Sequence, residues 1–302
     1  MVDSMNRIRS PGLSFEPVPV CRPALPMDTL EVMGLVKHIW EGEDYIPYVW
    51  EDWLADPDGL LAVVEYGGQL AGLCKLTRIS ALDWWLEGMR VHPDLQGRGI
   101  ATHLHHYILA AWEKMGRGAI RLTTSSKNVH VHQMCARSGF IKVMEVMPFS
   151  ASALLDDQIT QFKPAGKVEA DELIRFANAS PSLSLTGGLI DGGWKWAAPC
   201  LEMVDAALSN GRAWWWRDKT GLVTVWEMDE SGEERMPIIQ MLACGLGDLA
   251  DLLLDYRRLA GGLGYAQAAW FVPISQDLSS LLKKTGFQPY WEDSLFVFER
   301  KN

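Results

Sequence analysis

Apolar positions recur along the chain in two rhythms. Over Leu60–Tyr66, Gln69–Ile79 and Asp83–Val91 the runs are short, rich in β-branched and aromatic residues, and bounded by turn signals, Gly67-Gly68 separating the first two. This predicts three successive strands, the first pair a hairpin. From Asp28 to about Trp40, over Tyr48–Leu54 and over Ile100–Met115, apolar residues return every three or four positions, which predicts helices, the first capped by Asp28. A short extended segment at 17–26 precedes them. A strand at Ala119–Thr124, a helix over Val129–Ser138 closed by Gly139, and a strand at Phe140–Pro148 complete the series.

After a connector at 150–158 the pattern restarts. It predicts a strand at Ile159–Lys163, a helix over Val168–Ala179, a Gly/Ser/Trp-rich stretch from Ser180 to Pro199, and a helix over Leu201–Leu208. Strands at Arg212–Arg217, Gly221–Met228 and Met236–Ala243 follow, then a helix over Leu246–Leu259, a strand at Tyr265–Val272, a helix over Ser275–Lys284 and a strand at Leu295–Glu299. Both halves share one order: strand, helices, three strands, helix, strand, helix, strand. The expectation is an α+β architecture in two tandem copies, residues 1–150 and 151–302, in keeping with 302 residues at roughly 150 per domain.

Composition narrows the function classes. Hydrophobic residues at 48% and charged residues at 22% are ordinary globular usage. A formal net charge of −10 lacks the electrostatic footprint of a general nucleic-acid binder. The five cysteines are scattered and form no Cys-x-x-Cys, against a disulfide framework or zinc ribbon. No apolar run approaches the ~18 residues of a membrane span, and residues 1–16 show no apolar signal core, so a cytoplasmic protein without a membrane partner is expected. Fourteen Trp suit either an aromatic core or a stacking pocket.

The chemistry-bearing stretch is Glu87-Gly88-Met89-Arg90-Val91-His92-Pro93-Asp94-Leu95-Gln96-Gly97-Arg98-Gly99-Ile100-Ala101. A strand ends at His92-Pro93, and a glycine-bearing turn opens a helix, an arrangement that suits an anion at the helix N-terminus. A P-loop is excluded, since no Gly-x-x-x-x-Gly-Lys-[Ser/Thr] occurs; a dinucleotide loop fits poorly, since Thr102 occupies the third glycine position and antiparallel strands precede the turn. Gln96, Gly99 and Ala101 fit the pattern Gln/Arg-x-x-Gly-x-Gly/Ala of acetyl-CoA loops.

With these residues the chain resembles the GNAT superfamily of acyl-CoA-dependent N-acyltransferases over roughly residues 17–150. Asn128, Val131, Met134, Cys135, Arg137, Gly139 and Phe140 resemble the family's second signature. The segments Asp44-Tyr45-Ile46-Pro47, Trp53–Asp58, Glu87–Val91 and Ser152–Leu155 are similar to the vertebrate-type histidine N-acetyltransferases. The resemblance implies two GNAT-like domains, each a mixed, mostly antiparallel sheet flanked by helices. It also implies acetyl-CoA as cosubstrate, held by Met89, Arg90, Val91, Gln96, Gly97, Arg98, Gly99, Ile100, Ala101 and Asn128.

Strand alternation places Trp85, Glu87, Met89 and Val91 on one face, barring a bulge. Glu87 is the candidate base, through water, or an anchor for the substrate ammonium; it reads equally as a strand carboxylate paired to a cation. Cys135 stands where the family usually has a Tyr, either as the acid for the leaving sulfur or as a small helix residue. Asn128 contacts the cofactor arm, caps a helix, or does both. Asp44, Tyr45, Trp50 and Trp85 are the candidate acceptor residues, with Arg78 or Arg90 to bind a substrate carboxylate. No metal site is expected, although His103 and His106 lie one helical turn apart.

The second half has Cys244-Gly245-Leu246-Gly247-Asp248 where the loop would recur, without the signature, and reads as a degenerate copy with a structural or substrate-shaping role. The resulting expectation is an N-acetyltransferase acting by direct attack of a small-molecule amine, a free amino acid with histidine among the candidates. The alternatives are a peptide or protein N-acetyltransferase and a non-catalytic acyl-CoA sensor. Oligomeric state is not legible.

Overall fold

A computed structural model describes residues 17–37, 39–228 and 235–302. The expectation drawn from residues 1–16 lies outside these, as does His38 in the first expected helix. In chain order the elements are β1 (Val20–Pro23), α1 (Thr29–Val36), α2 (Ile46–Ala55), β2 (Leu60–Tyr66), β3 (Gln69–Arg78), β4 (Asp83–Val91), α3 (Ile100–Met115), β5 (Ala119–Ser125), α4 (Val129–Arg137) and β6 (Ile141–Ser152). The series then repeats as β7 (Phe162–Pro164), α5 (Ala170–Ala179), β8 (Ile190–Asp191), β9 (Trp196–Ala197), α6 (Leu201–Ser209), β10 (Ala213–Trp216), β11 (Gly221–Met228), β12 (Met236–Cys244), α7 (Leu249–Gly262), β13 (Gln267–Pro273), α8 (Gln276–Lys284), β14 (Gln288–Pro289) and β15 (Leu295–Lys301). The duplicated α+β order is therefore present, with an added β8–β9 hairpin in the second half. The first helix stops at Val36 and a 3-10 turn follows at Ile39–Gly42, so it is shorter than its apolar pattern suggested.

Contacts divide the chain into two compact units. One comprises Met1–Asp56, Leu61–Cys74 and Gly88–Tyr107; the other comprises Pro57–Leu60, Lys75–Glu87 and Ile108–Asn302. In the smaller unit the strand order is β1, β2, β3, β4, with β1 antiparallel to β2. Its core gathers Val32, Leu35, Val36, Ile46, Trp50, Trp53, Leu61, Val63, Leu70 and Leu73. Helix α2 begins at Ile46, two residues before the expected start. Pro47 suits a first helical turn, and the Ile46 N–H donates to Asp44 Oδ1 at 3.0 Å.

In the larger unit the order is β4, β5, β15, β6, β13, β12, β11, β10, β7. β15 pairs antiparallel with β5 from Leu295↔Ser125 to Lys301↔Ala119 and with β6 on its other side, so the last strand of the second half completes the sheet of the first. β6 runs twelve residues, beyond its expected end at Pro148. β13 pairs with it from Val146 to Ser152, which keeps Ser150-Ala151-Ser152 extended without an apolar alternation of their own, and β14 borders its other edge at Phe149 and Ser150. A buried charge cluster fastens the insertion. Arg121 of β5 donates through Nε to Glu299 of β15 at 2.8 Å and through Nη1 to Asp83 of β4.

β4 and β5 pair in parallel only over Asp83–Trp85 and Ala119–Arg121, and β12 and β13 only over Ile238–Ile239 and Ala269–Trp270. The pairings of β1 with β2, of β15 with β5 and β6, of β6 with β13, and of β11 with β10 and β12 are antiparallel. Among the described residues, no helix is long and apolar enough to cross a membrane.

Candidate active site

The strand–turn–helix at 91–101 is built around two glycines that no other residue would replace without strain. After Val91 a 3-10 turn spans Pro93–Leu95, and the ring of His92 accepts the Asp94 N–H at 3.2 Å. Gly97 then has φ +78 and Gly99 φ +76, the left-handed region where an added Cβ is costly. Leu95 and Ile100 are buried at the two ends of the turn, while Gln96, Gly97, Arg98 and Gly99 between them are exposed. A Cβ on Gly97 would meet nothing within 4 Å, so the backbone faces open space. Helix α3 has no acidic residue in its first turn, leaving its positive end uncompensated by its own side chains. The Gly99 carbonyl accepts the His103 N–H and lies 3.1 Å from His103 Nδ1. These features fit a pyrophosphate: exposed N–H groups, tight left-handed turns and a helix dipole.

The strand leading into this turn is broken in its alternation. Gly88 has φ +66 inside β4, and a Cβ there would come within 2.5 Å of Trp53. A left-handed residue inside a strand shifts the side-chain sequence as a bulge does, so Trp85 and Glu87 are not in strict alternation with Met89 and Val91. Met89, Arg90 and Val91 are half-buried.

Asp44, Tyr45 and Arg90 come together, though not as an open acceptor pocket. Arg90 Nε donates to Asp44 Oδ2 at 2.8 Å and Nη2 to Oδ1 at 3.2 Å. The guanidinium lies 5.3 Å from the Tyr45 ring centroid, and that ring meets Trp53 edge-on at 6.0 Å. Asp44 is buried and committed both to Arg90 and to the start of α2. Trp50 is in the core, its Nε1 donating to Thr29 Oγ1 at 2.9 Å, and Trp85 is equally buried, 6.0 Å from Trp196. Both indoles are thus packed in the core, the alternative that their sequence positions left open beside an acceptor role. Arg78 lies 3.7 Å from Asp58 and 5.9 Å from the Trp84 ring, at the surface.

Glu87 belongs to the larger unit. Thr77 Oγ1 donates to its Oε1 at 2.6 Å, and Lys195 Nζ lies 2.9 Å from the same oxygen. The Glu87 side chain is 11% exposed and that of Lys195 30%. Lys195 was not singled out from the sequence; its only signal is a lone cation in the Gly/Trp-rich stretch. It ends the turn of the β8–β9 hairpin. Gly193 (φ 80) and Trp194 (φ 67) form two successive left-handed residues there, an unusual conformation for a bulky side chain. Trp194 is held by a near-parallel stack on Trp291, centroids 5.1 Å apart, and by Phe271 at 5.0 Å. At the hairpin's foot Trp226 Nε1 donates to Asp191 at 3.2 Å, and burial pushes the Asp191 carboxyl up to about 7.

Asn128 is the N-cap of α4: its Oδ1 accepts the Val131 N–H at 3.3 Å, and the residue is exposed. Cys135 is fully buried, and burial pushes its thiol up to about 12. A thiol so high is a poor proton donor to a leaving thiolate whose own conjugate acid ionises near ~8.5. The geometry therefore disfavours the acid role for Cys135 and matches the small helix residue. A cleft of about 490 Å³ lies nearby in the same unit, lined by Ser125, Tyr290, Trp291, Glu292, Asp293 and Leu295. Among the described residues, no group of three or more His, Cys, Asp or Glu is arranged to hold a metal ion.

In the second half, the turn at 245–248 is an ordinary helix entry. Gly245 has φ −64, and Gly247 is outside the left-handed region. Asp248 accepts from Arg217 at 3.3 Å.

Residues 28–140 match the sequence pattern of the acetyltransferase (GNAT) family. The chain is 30% identical over 132 residues to the human "Probable N-acetyltransferase 16", covering 41% of this chain and 35% of that protein. It is 26% identical over 131 residues to "Histidine N-acetyltransferase" of Xenopus tropicalis, covering 41% and 40%. The chain thus spans well under half the length of these curated relatives. Among solved structures, a tandem GNAT protein from the clavulanic acid biosynthesis pathway superposes with a TM-score of 0.53 at 14% identity, covering 94% of this chain and 98% of that one. Likeness at that identity concerns the fold, and it extends over both halves.

Proposed function

Residues 28–140 belong to the GNAT acetyltransferase family, and from that premise we propose that the protein is an acetyl-CoA-dependent N-acetyltransferase acting on the amine of a small molecule, a free amino acid. The observation that carries the reading is the exposed turn at 96–99, with two left-handed glycines opening a 16-residue helix that has no acid in its first turn. The cosubstrate supplies an activated acyl thioester. The N–H groups of residues 97–101 hold its pyrophosphate, and Gln96 and Arg98 border it. Main-chain groups at Met89 and Val91 bind the arm and polarise the thioester carbonyl.

Glu87 anchors the acceptor ammonium and takes its proton, directly or through water; the Thr77 hydroxyl fixes the carboxylate. Asn128 orients the arm while capping α4. Asp44 and Arg90 brace the start of α2 around Tyr45 rather than touch the acceptor. The second half, whose turn lacks the left-handed glycines, shapes the acceptor site and completes the first sheet through β15. Five free cysteines agree with a reducing, cytoplasmic setting.

The similarity to a protein named histidine N-acetyltransferase puts histidine first among acceptors to try. The test is thiol release from acetyl-CoA across an amino-acid, polyamine and peptide panel, with Glu87→Gln beside the wild type. Turnover on a free amino acid, reduced at least ~100-fold in the variant, is expected. Turnover on peptides alone would replace the acceptor class. Acetyl-CoA binding without turnover on any amine would move the reading to an acyl-CoA sensor.

A further inference from the structure

Among the described residues the β8–β9 hairpin has no counterpart in the first half, and it delivers one charge. Asp191 pairs with Trp196 across it, the Gly192 N–H donates to the Lys195 carbonyl at 2.9 Å, and the left-handed pair Gly193-Trp194 closes the turn. The turn is clamped from outside: Trp194 stacks on Trp291 and packs on Phe271, and Trp196 packs on Trp85. Lys195, the next residue after the strained Trp194, is thereby fixed with its ammonium 2.9 Å from the Glu87 carboxylate.

Lys195 suits binding of an acid group. A lysine ammonium has three N–H donors, so it can keep Glu87 and still take an incoming carboxylate. The two guanidiniums expected from the sequence to fill this role are engaged elsewhere, Arg90 with Asp44 and Arg78 beside Asp58.

Resting on the acetyltransferase reading above, we propose that Lys195 is the residue that selects α-amino acids as acceptors: it binds the acceptor's α-carboxylate while Glu87 faces its α-ammonium. Opposite charges in contact on the protein match the ammonium and carboxylate borne by one carbon of the substrate. An amine without the carboxylate leaves Lys195 without its substrate partner. Selectivity of the transfer is thus supplied by the second half of the chain, through a hairpin held by aromatic stacking.

The test compares amino acids with their decarboxylated amines, histidine with histamine and leucine with isoamylamine, in wild type, Lys195→Met and Lys195→Arg. Wild type should favour the amino acid by about 100-fold in kcat/KM, the size expected of one charge-assisted pair. Lys195→Met should bring the ratio to within about 3-fold of unity, chiefly by raising KM for the amino acid at least ~10-fold, with KM for acetyl-CoA unchanged; Lys195→Arg should recover part of the preference. A wild type that turns over both acceptors equally, or a Lys195→Met protein that keeps the full preference, overturns the assignment and leaves the acetyltransferase reading standing. No thiol release by wild type on any acceptor overturns that reading and this assignment together.

Discussion

Both halves run a strand into a glycine-bearing turn and then a helix, and the two turns use the helix end differently. At 96–99 the glycines take left-handed φ, the four residues are exposed, and the first turn of α3 carries no acid. At 245–248 Gly245 is extended, no left-handed residue occurs, and Asp248 and Asp251 stand at the start of α7, paired to Arg217 at 3.3 and 3.1 Å. The second helix carries carboxylates at its positive end, held by Arg217 rather than in a capping hydrogen bond, where they oppose the approach of a phosphate. The first leaves that field for something outside the chain. Divergence of a duplicated fold is thus visible as a choice between internal and external compensation of one dipole.

The comparison would be blurred if the halves were independent, and the largest predicted effect addresses this. Removing Arg121 takes from Asp83 and Glu299, both buried, the guanidinium they share in the sheet that β15 completes, leaving Glu299 with Lys301 and Asp83 with Ser80. Arg121→Met should lower the unfolding free energy by about 3–5 kcal/mol in chemical denaturation, as expected for a broken buried ion pair. A change within about 1 kcal/mol would mean that β15 adds little to the first sheet. Next is Asp191, in the hairpin that only the second half has. Its folded carboxyl value, about 7, is above the ~3.9 of an unfolded chain. The folded state then holds the proton more tightly, so the contribution is full below about pH 4 and is lost as pH rises through 7. Wild-type stability should fall relative to Asp191→Asn between about pH 4 and 7, by up to about 4 kcal/mol. Parallel pH profiles for the two proteins would contradict this.

A matched pair of substitutions tests the turns themselves. Gly99→Val forces a β-branched side chain to φ +76 and should weaken acetyl-CoA binding at least ~100-fold by calorimetry. Gly247→Val meets nothing within 4 Å and should change it less than ~3-fold. Equal effects at both positions would erase the distinction drawn between the halves. The smallest effect is expected at Cys135. A thiol raised to about 12 by burial has little acid role to lose, so Cys135→Ala should alter kcat by less than ~3-fold and leave its pH profile in place. A larger loss at neutral pH, where the thiol is protonated, would restore the thiol as the acid.

What was legible in the sequence was local. β2, β4 and α3 fall on their expected residues because turns, caps and periodicity within each segment determine them. The glycine turn at 96–99 was legible because left-handed backbone leaves few residue types besides glycine. Interactions between distant residues were not legible. β15 lies between β5 and β6 through pairing of residues far apart in the chain, as in Leu295 with Ser125 and with Val146, and β6 extends to Ser152 because β13 pairs with it to that residue. Asp44 looked available for an acceptor because Arg90, which holds it, is 46 residues away. Lys195 carried no local signal, since its meaning comes from Glu87 in a different strand.

The most direct test of the account is the stoichiometry of acetyl-CoA binding to the full chain by titration calorimetry. One site per chain, lost in Gly99→Val and kept in Gly247→Val, is the predicted result. Two sites per chain, or one that survives Gly99→Val, would contradict the assignment of the anion-binding turn to the first half alone.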